Sequence, residues 1–187
     1  RPGELPTLGL YVLDWIEENL IVPDGPSAGE PLIFTREQAQ FVVNLYQLDP
    51  RSRRPAIVDG QFVNARVVRR GVLSRPKGWG KSPLAAALVV AEALAPVVPD
   101  GWDADGEPVA RPWASLGFKA KTQIVAVSED QTANTWDPLL EMVREGPVAR
   151  NYKIEPLETF VNVPRGRIEF TTSSGRSREG VRPVFAH

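Results

Sequence analysis

The stretch "RPKGWGKSPL", residues 75–84, joins a β-branched run to an alanine-rich one, and its reading decides the fold. Before it, "ARVVRRGVLS" (65–74) has the composition of a strand. After it, "KSPLAAALVVAEALA" (81–95) reads as a helix apolar on several sides, in which Pro83 is tolerated because it lies in the first turn. A glycine-rich turn between a strand and a helix aims backbone N–H groups at phosphate oxygens, and the helix N-terminus adds positive potential. In that frame Gly80 permits the turn, Lys81 supplies mobile positive charge and Ser82 a hydroxyl for Mg²⁺. The usual G-x-x-x-x-G-K-[ST] pattern has glycine where Arg75 stands. The alternative is a plain strand–helix turn. Against it, a lysine at a helix N-terminus opposes the helix dipole and is a poor structural choice.

Outward from the loop, helices and strands alternate. "TLGLYVLDWIEENL" places Leu8, Tyr11, Val12, Trp15 and Ile16 at helical spacing, with Thr7 as a candidate N-cap and Pro23 beyond the end. "TREQAQFVVNLYQL" predicts a second helix, opened by Thr35 and Gln38 at capping-box spacing and stopped by Asp49-Pro50. "PVVPDGWDADGEPVARPW" is too rich in Pro, Gly and Asp for regular structure and is expected to be a surface excursion. "TQIVAVS" (122–128) predicts a strand and "EDQTANTWDPLLEMVREG" a helix bent at Pro138. "NYKIEPL", "TFVNVP" and "RIEFTTSS" predict short strands, the last two joined by a Pro164-Arg165-Gly166 turn. This order indicates an α/β fold with crossover connections.

The 187 residues fit one domain, and 42% apolar content is enough for a core. Lys plus Arg (22) nearly balances Asp plus Glu (23), so net charge selects no polyanionic partner. The distribution says more: Arg51, Arg53, Arg54, Arg66, Arg69, Arg70, Arg75, Lys77 and Lys81 face Asp59 alone within 51–81, which predicts one basic face. Arg51, Arg53 and Arg54 suit DNA phosphates or a solvated linker equally. The lack of cysteine removes disulfides and thiolate metal sites, and no apolar run approaches the roughly 20 residues of a bilayer span. A soluble, intracellular chain is expected. Trp15, Phe41, Tyr46 and Phe62 are expected in the core, Asp103, Asp105 and Glu107 in a solvated acidic loop rather than a metal site, and His187 has no evident partner set.

"LSRPKGWGKSPLAAALVVAEAL" and "QIVAVSEDQTANTWDPLLEMV", preceded by "TLGLYVLDWIEENL" and "GEPLIFTREQAQFVVNLYQLDP", together resemble the N-terminal ATPase of tailed-phage terminase large subunits. The resemblance covers nearly the whole chain in the right order. Its most specific element is a Walker A loop that lacks the first glycine and carries a basic residue, here Lys77, three positions before the glycine of the Gly-Lys pair. It implies a P-loop NTPase fold with a mainly parallel sheet flanked by helices, in which residues 1–50 form a helical adenine-side segment and 51–187 an incomplete P-loop core.

The same resemblance implies ATP and Mg²⁺ bound through Arg75, Gly78, Gly80, Lys81 and Ser82, with Lys77 and Lys81 acting on phosphate. Gln38 would read the adenine edge, although its local reading as a capping-box residue is not excluded by that role. Arg178, or Arg176, would be an arginine finger toward a neighbouring subunit, the alternative being a solvated or DNA-facing arginine. Walker B and a C-terminal nuclease are expected beyond His187, so the chain would be a fragment that binds nucleotide without completing hydrolysis. The implied partners are double-stranded viral DNA, a portal protein, a small terminase subunit and further copies in a ring, in the host cytoplasm. Rival readings are a P-loop helicase or nucleotide kinase, or a non-catalytic nucleotide-binding assembly module.

Overall fold

The computed structural model describes residues 5–55, 62–117, 119–126, 129–172 and 183–187. Helix α1 (Gly9–Asn19) buries Leu8, Val12, Trp15 and Ile16 as the spacing predicts, while Tyr11 faces outward. Thr7 serves the helix start from one position further out than an N-cap. Its Oγ1 accepts from the Gly9 N–H (2.9 Å) and donates to the Val43 carbonyl (2.7 Å), tying α1 to α2 (Arg36–Leu45). The helices approach so closely that a Cβ on Gly9 would lie 2.5 Å from the Val43 Cα, so only glycine fits there. Helix α2 opens with the expected capping box: Thr35 Oγ1 accepts from the Gln38 N–H, and Gln38 Oε1 accepts from the Thr35 N–H.

Two hairpins depart from the sequence expectations. Residues 48–55 are not a linker but strand β1 (Leu48–Pro55), antiparallel to β2 (Phe62–Arg66). The strand expected over 65–74 therefore ends at Arg66, and residues 67–80 belong to no strand. The chain leaves the hairpin where the Arg66 side chain turns into the interior, and β-branched composition alone supplies no neighbour for the residues that follow. The excursion after α3 (Lys81–Leu94) is also regular: β3 (Val98–Trp102) pairs with β4 (Pro108–Arg111) and leads into a 3₁₀ turn, Trp113–Leu116. Asp103 makes that hairpin possible, because its Oδ1 accepts from the N–H groups of Asp105 and Glu107 (both 2.9 Å), and Gly106 takes a left-handed φ of 83°.

The main sheet has five strands in the order β6-β7-β8-β5-β9. Strand β5 (Ala120–Ala126) runs parallel to β8 (Gly166–Thr172) and to β9 (Phe185–Ala186), whereas β7 (Phe160–Val163) is antiparallel to β8 and to β6 (Glu155–Pro156). The sheet is thus mixed, parallel at β8-β5-β9, with α4 and α5 lying on the way from β5 to β8, and antiparallel where the Pro164-Arg165 turn closes a hairpin. Gly166 begins the β5–β8 pairing because any Cβ there would collide with the Ala120 carbonyl at 2.1 Å. From β5 the chain crosses through α4 (Glu129–Glu145), which contains Pro138, and a short α5 (Val148–Tyr152); of the strand expected over 151–157, Asn151 and Tyr152 end that helix and Glu155–Pro156 form β6.

Helix α3 packs against α1, α4, β5 and β8, and is buried from Leu84 to Leu94 except at Ala85. Each fully buried Leu or Val on it is worth about 1.5–3 kcal/mol over exposure, so this helix anchors the core. Trp15 and Tyr46 lie in the core and Phe41 packs against it; the packing of Phe62 lies outside the described residues. Among those residues, no helix is long and apolar enough to cross a membrane, and no group of acidic or imidazole side chains is arranged to hold a metal ion.

Candidate functional site

Helix α3 begins at Lys81, directly behind two glycines with left-handed backbone, Gly78 (φ 85°) and Gly80 (φ 87°). Gly80 stands at the N-cap and offers no side chain, no acid occupies the first turn, and the first helical bond runs from the Leu84 N–H to the Gly80 carbonyl (3.1 Å). The N-terminus of a well-buried 14-residue helix is therefore free of any side-chain cap. A Cβ on Gly80 would also meet Gln38 Nε2 at 2.7 Å and push that amide aside, so the left-handed backbone calls for glycine and a side chain there would disturb Gln38.

Lys81 folds back across the loop. Its Nζ donates to the carbonyls of Arg75 (2.6 Å) and Pro76 (2.8 Å), which places the ammonium on the concave side of residues 75–80. Ser82 follows on the first turn. Lys81 and Ser82 together line one end of a cavity of about 1330 Å³, which continues past Leu84 and Leu88 to Arg66 and Glu92. An anion fits this arrangement: an uncapped helix start, two glycine turns and one movable cation.

The remaining sequence-predicted residues divide. Gln38 lies at the loop, its Nε2 donating one hydrogen to the Trp79 carbonyl (2.9 Å) while its Oε1 serves the capping box, so both ends of the amide have a partner. Arg75 is at the loop too, but its guanidinium pairs with Glu37 and sits 5.6 Å over the Trp79 ring. Lys77 is exposed on the turn. Arg176 and Arg178 lie outside the described residues.

Two groups escaped sequence reasoning. Glu37 accepts from both Arg75 and Trp79 Nε1 (2.9 Å), and the signal for it was an indole set between two glycines with nothing local to hold it. Glu92, 1% exposed, is the lone charge in an otherwise apolar stretch of helix. It accepts from Arg66 Nη1 (2.7 Å) and from the Tyr46 hydroxyl (2.8 Å). Arg66 also donates to the Val97 carbonyl (2.7 Å) and covers the Tyr46 ring at 4.3 Å. Burial, then the Glu92 charge, raises the Tyr46 hydroxyl well above its ordinary range. Burial opposes the Arg66 charge, yet Glu92 and Tyr46 more than restore it. The single basic face is corrected accordingly: Arg66 and Arg75 are matched by acids from outside the 51–81 window, and Arg69, Arg70 and Lys77 are its exposed members among the described side chains.

The mixed α/β fold with its glycine loop at the head of α3 is the fold of a phage large terminase. The crystal structure of the HK97 bacteriophage large terminase superimposes with a TM-score of 0.63 at 18% identity, over 96% of this chain and 30% of that one. In sequence the chain is 34% identical to the Gene 13 protein of Mycobacterium phage L5 and 32% identical to that of Mycobacterium phage D29, over 96% and 98% of its own length. It spans 30% and 31% of those two proteins. No family model matches. The terminase resemblance read from the sequence thus stands, carried by fold and by phage relatives alike.

Proposed function

We propose that the chain is the nucleotide-binding part of a terminase motor that, in the longer protein, couples ATP hydrolysis to moving double-stranded viral DNA into a procapsid. The observation that carries this reading is the loop itself, with an uncapped α3 starting behind two left-handed glycines and Lys81 Nζ turned onto its concave side. On this reading the fold is that of a P-loop NTPase. The N–H groups of the loop and of the first turn of α3 hold phosphate oxygens, and Lys81 exchanges its two carbonyl contacts for the β- and γ-phosphates. Ser82 is the residue that would hold Mg²⁺, which supplies charge neutralisation when bound. On the same reading Gln38 reads the adenine edge, for which its amide keeps one N–H beyond the one given to the Trp79 carbonyl.

The proposed partners are duplex DNA, a portal protein, a small terminase subunit and further copies of the chain in a ring, with assembly in the host cytoplasm. Arg178, or Arg176 in its place, is proposed to reach a neighbouring subunit's phosphates.

Titration of a magnesium complex of a non-hydrolysable ATP analogue into wild type and Lys81→Ala tests the core of this reading. Loss of one charged partner predicts affinity weaker by about ten- to a hundredfold. Equal affinities would exclude the loop as a phosphate site.

A further inference from the structure

The loop of residues 75–80 does not hold its own shape. Among the described residues no side-chain hydrogen bond spans it except those of Lys81, its internal side-chain contact being Arg75 over the Trp79 ring, and its two glycines take left-handed backbone. What holds it comes from the first turn of α2, some forty residues earlier. One carboxylate, Glu37, takes both flanks of the glycine turn: Oε1 accepts from Arg75 and Oε2 from the Trp79 indole. The next residue, Gln38, takes the Trp79 carbonyl, and the Arg75 guanidinium closes the cluster over the Trp79 ring. Two consecutive side chains of one helix turn thus fix positions 75 and 79, and Pro76, Lys77 and Gly78 are left to span them.

We infer that Glu37 is a positioning residue for the nucleotide loop, holding Arg75 and Trp79 so that the backbone of 76–80 is shaped for phosphate before any nucleotide arrives. This rests on the nucleotide-binding reading. Arg75 replaces the first glycine of the usual pattern, and its work on this account is to be held by Glu37 rather than to touch phosphate. The cluster is too exposed to matter much for global stability, since Arg75 and Glu37 side chains are 42% and 56% exposed and such pairs contribute little. Its effect is local: a loop already ordered loses less entropy on binding.

The experiment compares wild type, Glu37→Ala, Glu37→Gln and Arg75→Ala with the Glu37→Ala/Arg75→Ala double variant in the 187-residue chain. Three quantities are measured: affinity for the magnesium ATP analogue, melting temperature, and the emission of Trp79, isolated by subtraction of a Trp79→Phe background. Glu37→Ala is expected to weaken the analogue about tenfold and shift Trp79 emission to the red, with the melting temperature unchanged. Glu37→Gln, which keeps an acceptor for the indole, restores part of both. The double variant should be no weaker than Glu37→Ala, because the two residues act as one unit. Wild-type affinity together with unmoved Trp79 emission in Glu37→Ala overturns the inference, as does a loss of affinity that merely tracks a lower melting temperature. If wild type binds no analogue, the nucleotide reading fails by itself; the emission measurement needs no nucleotide and still decides whether Glu37 holds the loop.

Discussion

At the scale of single residues, Glu37 gives the loop a dependence on pH. The Trp79 N–H donated to its carboxylate, joined by the Arg75 charge and opposed by partial desolvation, holds Glu37 below its ordinary value of 4.5. A carboxyl whose value is depressed in the folded protein stabilises it above the ordinary range, and that contribution is lost as pH falls through the lower, folded value. Trp79 emission should therefore shift on acidification with a midpoint below that ordinary value, and Glu37→Gln should abolish that step. Gly80, Lys81, Ser82 and the Thr35–Gln38 box were legible in the sequence because each depends on neighbours within a few positions. Glu37 and Trp79 were not, because an indole between glycines acquires meaning only when a helix turn 42 positions away is brought beside it.

At the scale of elements, α1 to α4 and the β7–β8 hairpin were readable in the sequence, and the hairpins β1–β2 and β3–β4 were not. Leu8, Val12, Trp15 and Ile16 repeat at helical spacing and lie buried in α1. Strands β1, β3 and β4 contain Pro50, Pro55, Pro99 and Pro108, which demote a strand reading unless the chain lies at a sheet edge, where two-stranded ribbons have both members. The stretch 65–74 failed in the opposite way, with strand-like composition and no strand beyond Arg66. What joins these hairpins to α3 is the Arg66–Glu92–Tyr46 cluster. Glu92→Ala leaves Arg66 without its carboxylate in a mostly buried site and should cost about 3–5 kcal/mol, whereas Tyr46→Phe removes one hydroxyl bond at about 0.5–1.5 kcal/mol. Urea unfolding measures both. Equal, small losses would show that water already serves Arg66 in place of Glu92.

At the scale of the whole molecule, the proposed motor makes two demands. Among the described side chains, exposed Arg69, Arg70 and Lys77 are the groups proposed to meet duplex phosphates. Binding of duplex DNA should lack sequence preference and weaken steeply with salt through counterion release, and an affinity indifferent to salt would exclude a phosphate-binding role. In the full-length protein, Arg178→Ala should keep ATP affinity and lose DNA-stimulated hydrolysis, recovering part of it when mixed with Lys81→Ala subunits that lend their arginine. Normal hydrolysis by Arg178→Ala moves the role to Arg176. The arrangement of α3 also has a mechanical consequence. Lys81 and Glu92 stand on one stiff rod, about 16 Å apart at 1.5 Å per residue. Glu92 is pinned in the interior, so the rod has a pivot near one end and the glycine loop at the other. A tilt of about 5° about that pivot swings the Lys81 end by about 1.4 Å, half the length of a hydrogen bond. A displacement of that size is enough to make or break a hydrogen bond at the Lys81 end, while the contacts of Arg66 and Tyr46 with Glu92 at the pivot stay in place.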